Sequence, residues 1–250
     1  MNRYLKNLNR IECIVTYACT GKCKHCSEGS HSLSGCHLDG EKAAEAVLQI
    51  ARNYPIQSLM TFGGEPLLFP EITAQIHAAA CKAHIEKRQI ITNGYFSKQP
   101  ERIREVARML KDAGVNDVLL SVDAFHQETI PLEPVQCFAE MLIQQHVPLR
   151  MQPAWLVSQA HDNPYNQKTR GLLQLFAGMG IPIHEGNVIF PSGNALRFLK
   201  EYFDLYGTPE NPYEDDPENV SSISLEPDGT LLKGNFYQEN VLSIMENYRP

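Results

Sequence analysis

No cysteine occurs after Cys137, so nothing in the last part of the chain can hold a thiolate-ligated metal centre. Long apolar runs are also missing. None approaches the roughly 20 residues needed to cross a bilayer, and Met1-Asn2-Arg3-Tyr4-Leu5-Lys6-Asn7 lacks the apolar core of a signal peptide. A cytoplasmic chain with no membrane partner is expected. Basic residues are in deficit, 22 Lys and Arg against 29 Asp and Glu, for a net charge of −7. That argues against nucleic acid as a partner while leaving room for a small nucleotide cofactor. Internal repeats and low-complexity tracts are absent. With 43% apolar and 20% charged residues the chain is globular, and 250 residues suit one large domain or two small ones.

What the sequence does have is seven cysteines. In a cytosolic protein these are metal ligands or thiols more often than disulfides. Cys13, Cys81 and Cys137 read as small buried apolar residues. Cys19, Cys23 and Cys26 lie in Tyr17-Ala18-Cys19-Thr20-Gly21-Lys22-Cys23-Lys24-His25-Cys26, a C-x3-C-x2-C loop directly after the apolar run 11–16. Thiolates this close can converge on one soft metal centre. A closed zinc site needs a fourth ligand, for which His25, His31 and His37 are candidates. Cubane iron–sulfur clusters are usually held by four cysteines, so three would leave one iron open.

Period and punctuation divide the rest into alternating units. Strands are expected over 11–16, 57–62, 89–92, 117–122, 148–157 and 181–190. Helices are expected over 41–51, 70–84, 100–113, 134–146, 165–179 and 195–206. Such alternation implies a parallel α/β sheet with helical crossovers, either open and doubly wound or a curved incomplete barrel. The strands read as short apolar runs, which suits burial on both faces. Ligands then gather at the strand C-terminal ends. The cysteine loop, Gly63-Gly64-Glu65-Pro66, Thr92-Asn93-Gly94 and Ser121-Val122-Asp123 all fall there. Beyond Gly207 the composition turns to Pro, Asp and Glu. Ser222-Ile223-Ser224-Leu225-Glu226 and Thr230-Leu231-Leu232-Lys233 flank Pro227-Asp228-Gly229 as the arms of an expected hairpin. This divides the chain into a main domain, 1–206, and a C-terminal appendage, 207–250.

The cysteine loop followed by Gly63-Gly64-Glu65-Pro66 resembles the paired motifs of radical S-adenosylmethionine (radical SAM) enzymes, over roughly residues 10–195. The resemblance implies a partial (β/α)6 TIM-like barrel holding one [4Fe–4S] cluster and SAM. Cys19, Cys23 and Cys26 are implied as the ligands of three irons, and the fourth iron as the site of the SAM amino and carboxylate groups. Gly63 and Gly64 would let backbone approach the ligand, Pro66 would stiffen the turn, and Glu65 would accept from the SAM ammonium. Asn93 is placed near the ribose, His25 near adenine, and Ser121 with Asp123 at the strand end facing SAM. Val188 in Val188-Ile189-Phe190-Pro191-Ser192-Gly193 is placed against adenine. Many relatives carry an arginine beyond Ser121, but Thr129-Ile130-Pro131-Leu132-Glu133-Pro134 has no basic residue. Arg150 is the candidate replacement. Cys36 is the candidate catalytic thiol or hydrogen-atom donor.

The tail, Leu225-Glu226-Pro227-Asp228-Gly229-Thr230-Leu231, resembles the hairpin of SPASM extensions, whose auxiliary clusters this chain has no cysteines to hold. The implied activity is reductive cleavage of SAM at a single cluster, giving a 5′-deoxyadenosyl radical for hydrogen abstraction. A reducing partner such as flavodoxin or ferredoxin is implied. The expected substrate is a peptide or protein, with a small metabolite or nucleotide as the alternative. A non-catalytic iron–sulfur or zinc protein is the reading from another class.

Overall fold

Local signals set the helix starts. Asp39 caps α1 (Gly40–Asn53) by accepting from the backbone N–H groups of Glu41 and Lys42, and prolines open α2 (Pro70–Lys82) and α3 (Pro100–Asp112). The computed structural model describes residues 2–29 and 35–250, so His31 lies outside the described residues. Strands β1 (Arg10–Thr16), β2 (Ser58–Gly63), β3 (Lys87–Thr92), β4 (Asp117–Leu120) and β5 (Leu149–Met151) pair in parallel, each with the next. The helices α1, α2, α3 and α4 (Leu132–Gln144) are the crossovers between them.

The strand expected over 148–157 breaks at Gln152-Pro153, where proline has no N–H to give a ladder. It resumes as β6 (Ala154–Trp155), which pairs in parallel with β7 (Asn187–Val188) beyond α5 (Pro164–Ala177). The strand expected over 181–190 is reduced to β7 and a bridge between Ile183 and Met151. The helix expected over 195–206 is two, α6 (Gly193–Phe198) and α7 (Lys200–Tyr206), divided at Leu199 with φ −123°. The result is a parallel α/β partial barrel.

Beyond residue 207 the structure departs from the expectation. β8 (Ser222–Leu225) is not the arm of a hairpin. It lies parallel to β1 as the sixth strand of the main sheet, in the order β5-β4-β3-β2-β1-β8. The turn at 227–229 forms, with the Glu226 N–H donating to the Thr230 carbonyl at 3.0 Å and Gly229 at φ 87°. The hairpin is instead β9 (Thr230–Leu231) with β10 (Gly234–Asn235). Burial decides this. Ile223 and Leu225 are 2% and 0% exposed, in one core cluster with Val47 and Ile50 of α1 and with Ile244 and Met245 of α8 (Val241–Asn247). The boundary drawn after residue 206 therefore does not separate two cores. Leu225→Ala is expected to destabilise the whole chain by about 2–5 kcal/mol in a single urea transition, where a detached appendage would leave the main transition unmoved.

The strands also alternate more than expected. Ile11, Cys13 and Val15 are fully buried on one face of β1. Arg10, Glu12 and Ile14 face a cavity inside the sheet's curve, as do Met60, Phe62, Gln89, Ile91 and Leu119 on the neighbouring strands. One face of the sheet thus packs on helices and the other lines a chamber.

Candidate active site

The chamber is a cavity of about 670 Å³ whose wall includes Cys19, Cys23 and Cys26 together with the strand ends Gly63-Gly64, Asn93 and Ser121. The loop from β1 carries the cysteines and is pinned to the end of β2 by backbone. Gly64 N–H donates to the Thr16 carbonyl at 2.7 Å, and Glu65 N–H to the Ala18 carbonyl at 2.8 Å. This contact explains the two glycines. Gly63 sits at φ 133°, and a Cβ on it would lie 2.4 Å from the Thr16 oxygen. One on Gly64 would lie 2.0 Å from the Ala18 oxygen. The expectation was that they open space for a ligand. They do face the chamber, but their first effect is to let two backbone segments meet.

Glu65 has a structural role beyond the expected one. It is fully buried, and its carboxylate accepts from Leu67 N–H at 2.9 Å, Thr92 Oγ1–H at 2.7 Å and Asn93 N–H at 2.8 Å. Burial pushes its pKa up to about 7 against these donors. Those three protein donors occupy it in this structure. It ties the 3-10 turn Pro66–Leu68 to the end of β3, and Pro66 itself is buried in that turn. Glu65→Ala would orphan three buried donors at about 1–3 kcal/mol each. Loss of at least about 3 kcal/mol from the cluster-free chain in urea is the expected result. A stability unchanged within 0.5 kcal/mol (roughly the scatter of a neutral surface change) would contradict it.

The sulfurs sit among hydrogen-bond donors. Cys19 Sγ accepts from Gly21 N–H at 3.3 Å and from Asn93 Nδ2–H at 3.5 Å. The Thr129 hydroxyl bonds to Cys23, and the backbone N–H groups of Glu28 and Gly29 bond to Cys26. Burial pushes the Cys19 thiol up to about 12, with Glu65 adding to it, and raises Cys23 and Cys26 too. All seven cysteines are outside disulfides. Among the described residues the chamber wall has these three cysteines and no fourth. Three soft donors with N–H and O–H groups aimed at them fit a cluster with one iron left to a non-protein ligand.

Beside them, ligand atoms of Cys23, His25 and His126 lie within 4.8 Å of one another. His25 packs on Phe125 and His126, with ring centroids at 5.1 and 4.7 Å, and its buried Nδ1 has no partner. Burial, with His126 adjacent, lowers its pKa to about 4. Asp123 lines the chamber but is spoken for. Its Oδ1 accepts from the Phe125 and His126 N–H groups, and its Oδ2 from His126 Nδ1 at 2.8 Å and Ala154 N–H at 3.0 Å. Burial pushes its pKa up, yet His126 and these bonds together leave it well below the usual carboxylate range. It is a cap and a strut between β4 and β6 before it is a ligand contact.

Arg150 lines the chamber too. Its Nε and Nη2 both donate to Asp117, at 2.9 Å each, so the guanidinium is already paired with a carboxylate. It belongs to a floor below the cysteines that sequence reasoning missed. Gln89 Nε2–H donates to Asp117 at 2.6 Å, Arg10 Nη1–H to Gln89 at 3.3 Å, and Arg10 Nε–H to Glu12 at 2.7 Å. The polar residues at alternate positions Arg10 and Glu12 of β1 were the available signal. Gln152 lines the wall above, 6% exposed, with an unpartnered Oε1. Cys36 is exposed and outside the chamber wall; its carbonyl accepts from Thr16 Oγ1–H at 2.7 Å. Its thiol is therefore not among the groups that line the chamber. Ser121 and Val188 do line it. His37 bonds to Leu38 and packs on Phe69 at 4.4 Å, away from the cysteines.

Comparison with known proteins places this geometry. The sequence profile of the radical SAM superfamily matches residues 13–142. Over 131 residues the chain is 26% identical to the GTP 3′,8-cyclase of Desulforamulus reducens, covering 52% of this chain and 38% of that relative. The chain thus spans well under half the length of that protein. The fold superposes on Streptococcus suis SuiB bound to S-adenosylmethionine with a TM-score of 0.64, over 97% of this chain and 66% of that one, at 12% identity. It superposes on native anSMEcpe with bound AdoMet with a TM-score of 0.57, over 93% and 76%, at 17% identity. At these identities the structures share the fold.

Proposed function

The chain belongs to the radical SAM superfamily, whose members are enzymes that use a [4Fe–4S] cluster and SAM, and from that premise we propose that it generates a 5′-deoxyadenosyl radical for hydrogen abstraction from a substrate in the barrel. The single observation that carries this is the three-cysteine wall of the chamber, with Cys19, Cys23 and Cys26 facing it and, among the described residues, no fourth cysteine beside them. When bound, cluster and cofactor supply one electron and the carbon–sulfur cleavage that releases methionine and the radical. The chain's own residues do the holding. The three thiolates ligate iron. The backbone of Gly63-Gly64 and the Ser121 hydroxyl, which line the chamber, would hold the amino acid end of SAM. His25, Val188 and Phe190 would border the adenine and Asn93 the ribose, all four lining the same chamber. The chamber would hold substrate close to the reacting carbon. No helix among the described residues is long and apolar enough to cross a membrane.

For the substrate, the floor favours a small polar molecule over a peptide. Arg10, Glu12, Gln89, Asp117 and Arg150 form one hydrogen-bonded network, charge-balanced with two arginines and two acids, where ion pairs contribute little to stability. Side chains of this kind suit a substrate with its own donors and acceptors. The cyclase relative, named for a nucleotide, points the same way. A peptide is supported by the tail's motif resemblance alone. A reducing partner such as flavodoxin or ferredoxin is part of the reading. The test is anaerobic reconstitution, iron and sulfide counts, then dithionite and SAM. About four irons per chain and 5′-deoxyadenosine are expected; stoichiometric zinc with no SAM cleavage overturns the proposal.

A further inference from the structure

Asn93, assigned above to the ribose side of the chamber, also turns a donor onto the cysteine loop. Its amide orientation is settled by its neighbours. Oδ1 accepts from Tyr95 N–H at 2.8 Å, so Nδ2 is the end turned toward Thr20 Oγ1 at 3.2 Å and Cys19 Sγ at 3.5 Å. Its backbone N–H is held by Glu65 Oε2 at 2.8 Å, and the residue is 5% exposed. A buried donor is thereby fixed on a sulfur by two anchors, one on each side of it. The chain from Leu67 N–H through the Glu65 carboxylate and Asn93 ends on Cys19.

Hydrogen bonds to the sulfurs of an iron–sulfur centre disperse the negative charge added on reduction and raise its potential. The effect is largest where water competes least, and the donor residue is 5% exposed. We propose that Asn93 is a positioning residue that sets the reduction potential of the cluster by donating to the Cys19 sulfur, with Glu65 holding Asn93 in place. The proposal gives the buried glutamate of the glycine–glycine–glutamate–proline turn a redox consequence through its hold on Asn93. It rests on the cysteine loop being a cluster site.

The experiment is a spectroelectrochemical titration of the reconstituted protein and of Asn93→Ala and Asn93→Asp, with iron and sulfide counted on each sample. The metal counts test the cluster reading; the midpoint tests this one. Both variants are expected to hold as much iron as the wild type and to be harder to reduce by about tenfold in the equilibrium, about 59 mV for one electron. Glu65→Gln, which keeps the volume but confronts Asn93 N–H with a second donor in one of its orientations, is expected to shift the midpoint in the same direction. Full clusters with the wild-type midpoint in both Asn93 variants overturn the proposal. If neither variant loads iron, electron–nuclear resonance on reduced wild type carrying 15N-labelled asparagine decides. A nitrogen coupling from a side-chain amide supports the assignment, and its absence overturns it.

Discussion

Cys23→Ala is expected to reduce SAM cleavage to background and to lower the iron content well below the wild-type level of about four per chain. Three ligands already leave one iron to a non-protein group, so removing another leaves two protein ligands where a cubane is usually held by four. The fold should survive. Cys23 lies in the loop between β1 and α1, outside any helix or strand, and its thiol makes one side-chain bond, to Thr129. A urea midpoint within about 1 kcal/mol of wild type, together with loss of the cluster absorbance, is the outcome that separates a ligand from a packing residue. Retained clusters and turnover in this variant would remove the loop from the chemistry. Cys19→Ala and Cys26→Ala should behave alike, since the three sulfurs share one wall.

Gly64→Ala is expected to be nearly as damaging through a different cause. The added methyl group would stand 2.0 Å from the Ala18 oxygen and 2.5 Å from its carbonyl carbon, and both are backbone atoms that cannot rotate away. Either β2 withdraws from the loop or Ala18 moves, and Cys19 moves with it. A cost above about 3 kcal/mol follows from overpacking against backbone, along with poor cluster loading even in the chains that fold. The measurement is a urea transition on the cluster-free chain paired with iron content after reconstitution. Wild-type values for both would show that the glycine serves a ligand alone. By contrast Gly171→Ala, with nothing within 4 Å of its added methyl, should be silent or mildly stabilising within helix α5, because alanine is the better helix former.

The alternation of strands and helices was legible because each unit is written locally: caps and prolines at helix starts, glycines after strands, and apolar residues at the right period. The cysteine spacing and the turn at residues 63–66 were legible for the same reason. Errors arose where neighbours in space are strangers in sequence. Ser222-Ile223-Ser224-Leu225 has the alternation of a hairpin arm, and nothing local reveals that β1 offers it an open edge. The resulting α/β sheet has six parallel strands as expected, with a different sixth. Arg150 looked free because Asp117 lies on another strand. The structural role of Glu65 was hidden because its three donors come from two separate segments, only one of which follows it directly.

By itself, the sequence determined the parallel α/β plan, the three sulfurs and the glycine-rich turn, since periodicity and spacing are properties of short stretches. The tertiary structure decided which way the polar groups point. Burial leaves a carboxylate or amide no choice but the donors and acceptors within reach. Packing therefore turned Glu65 inward, paired Arg150 with Asp117, aimed Asn93 at Cys19 and folded the tail into the barrel's own sheet.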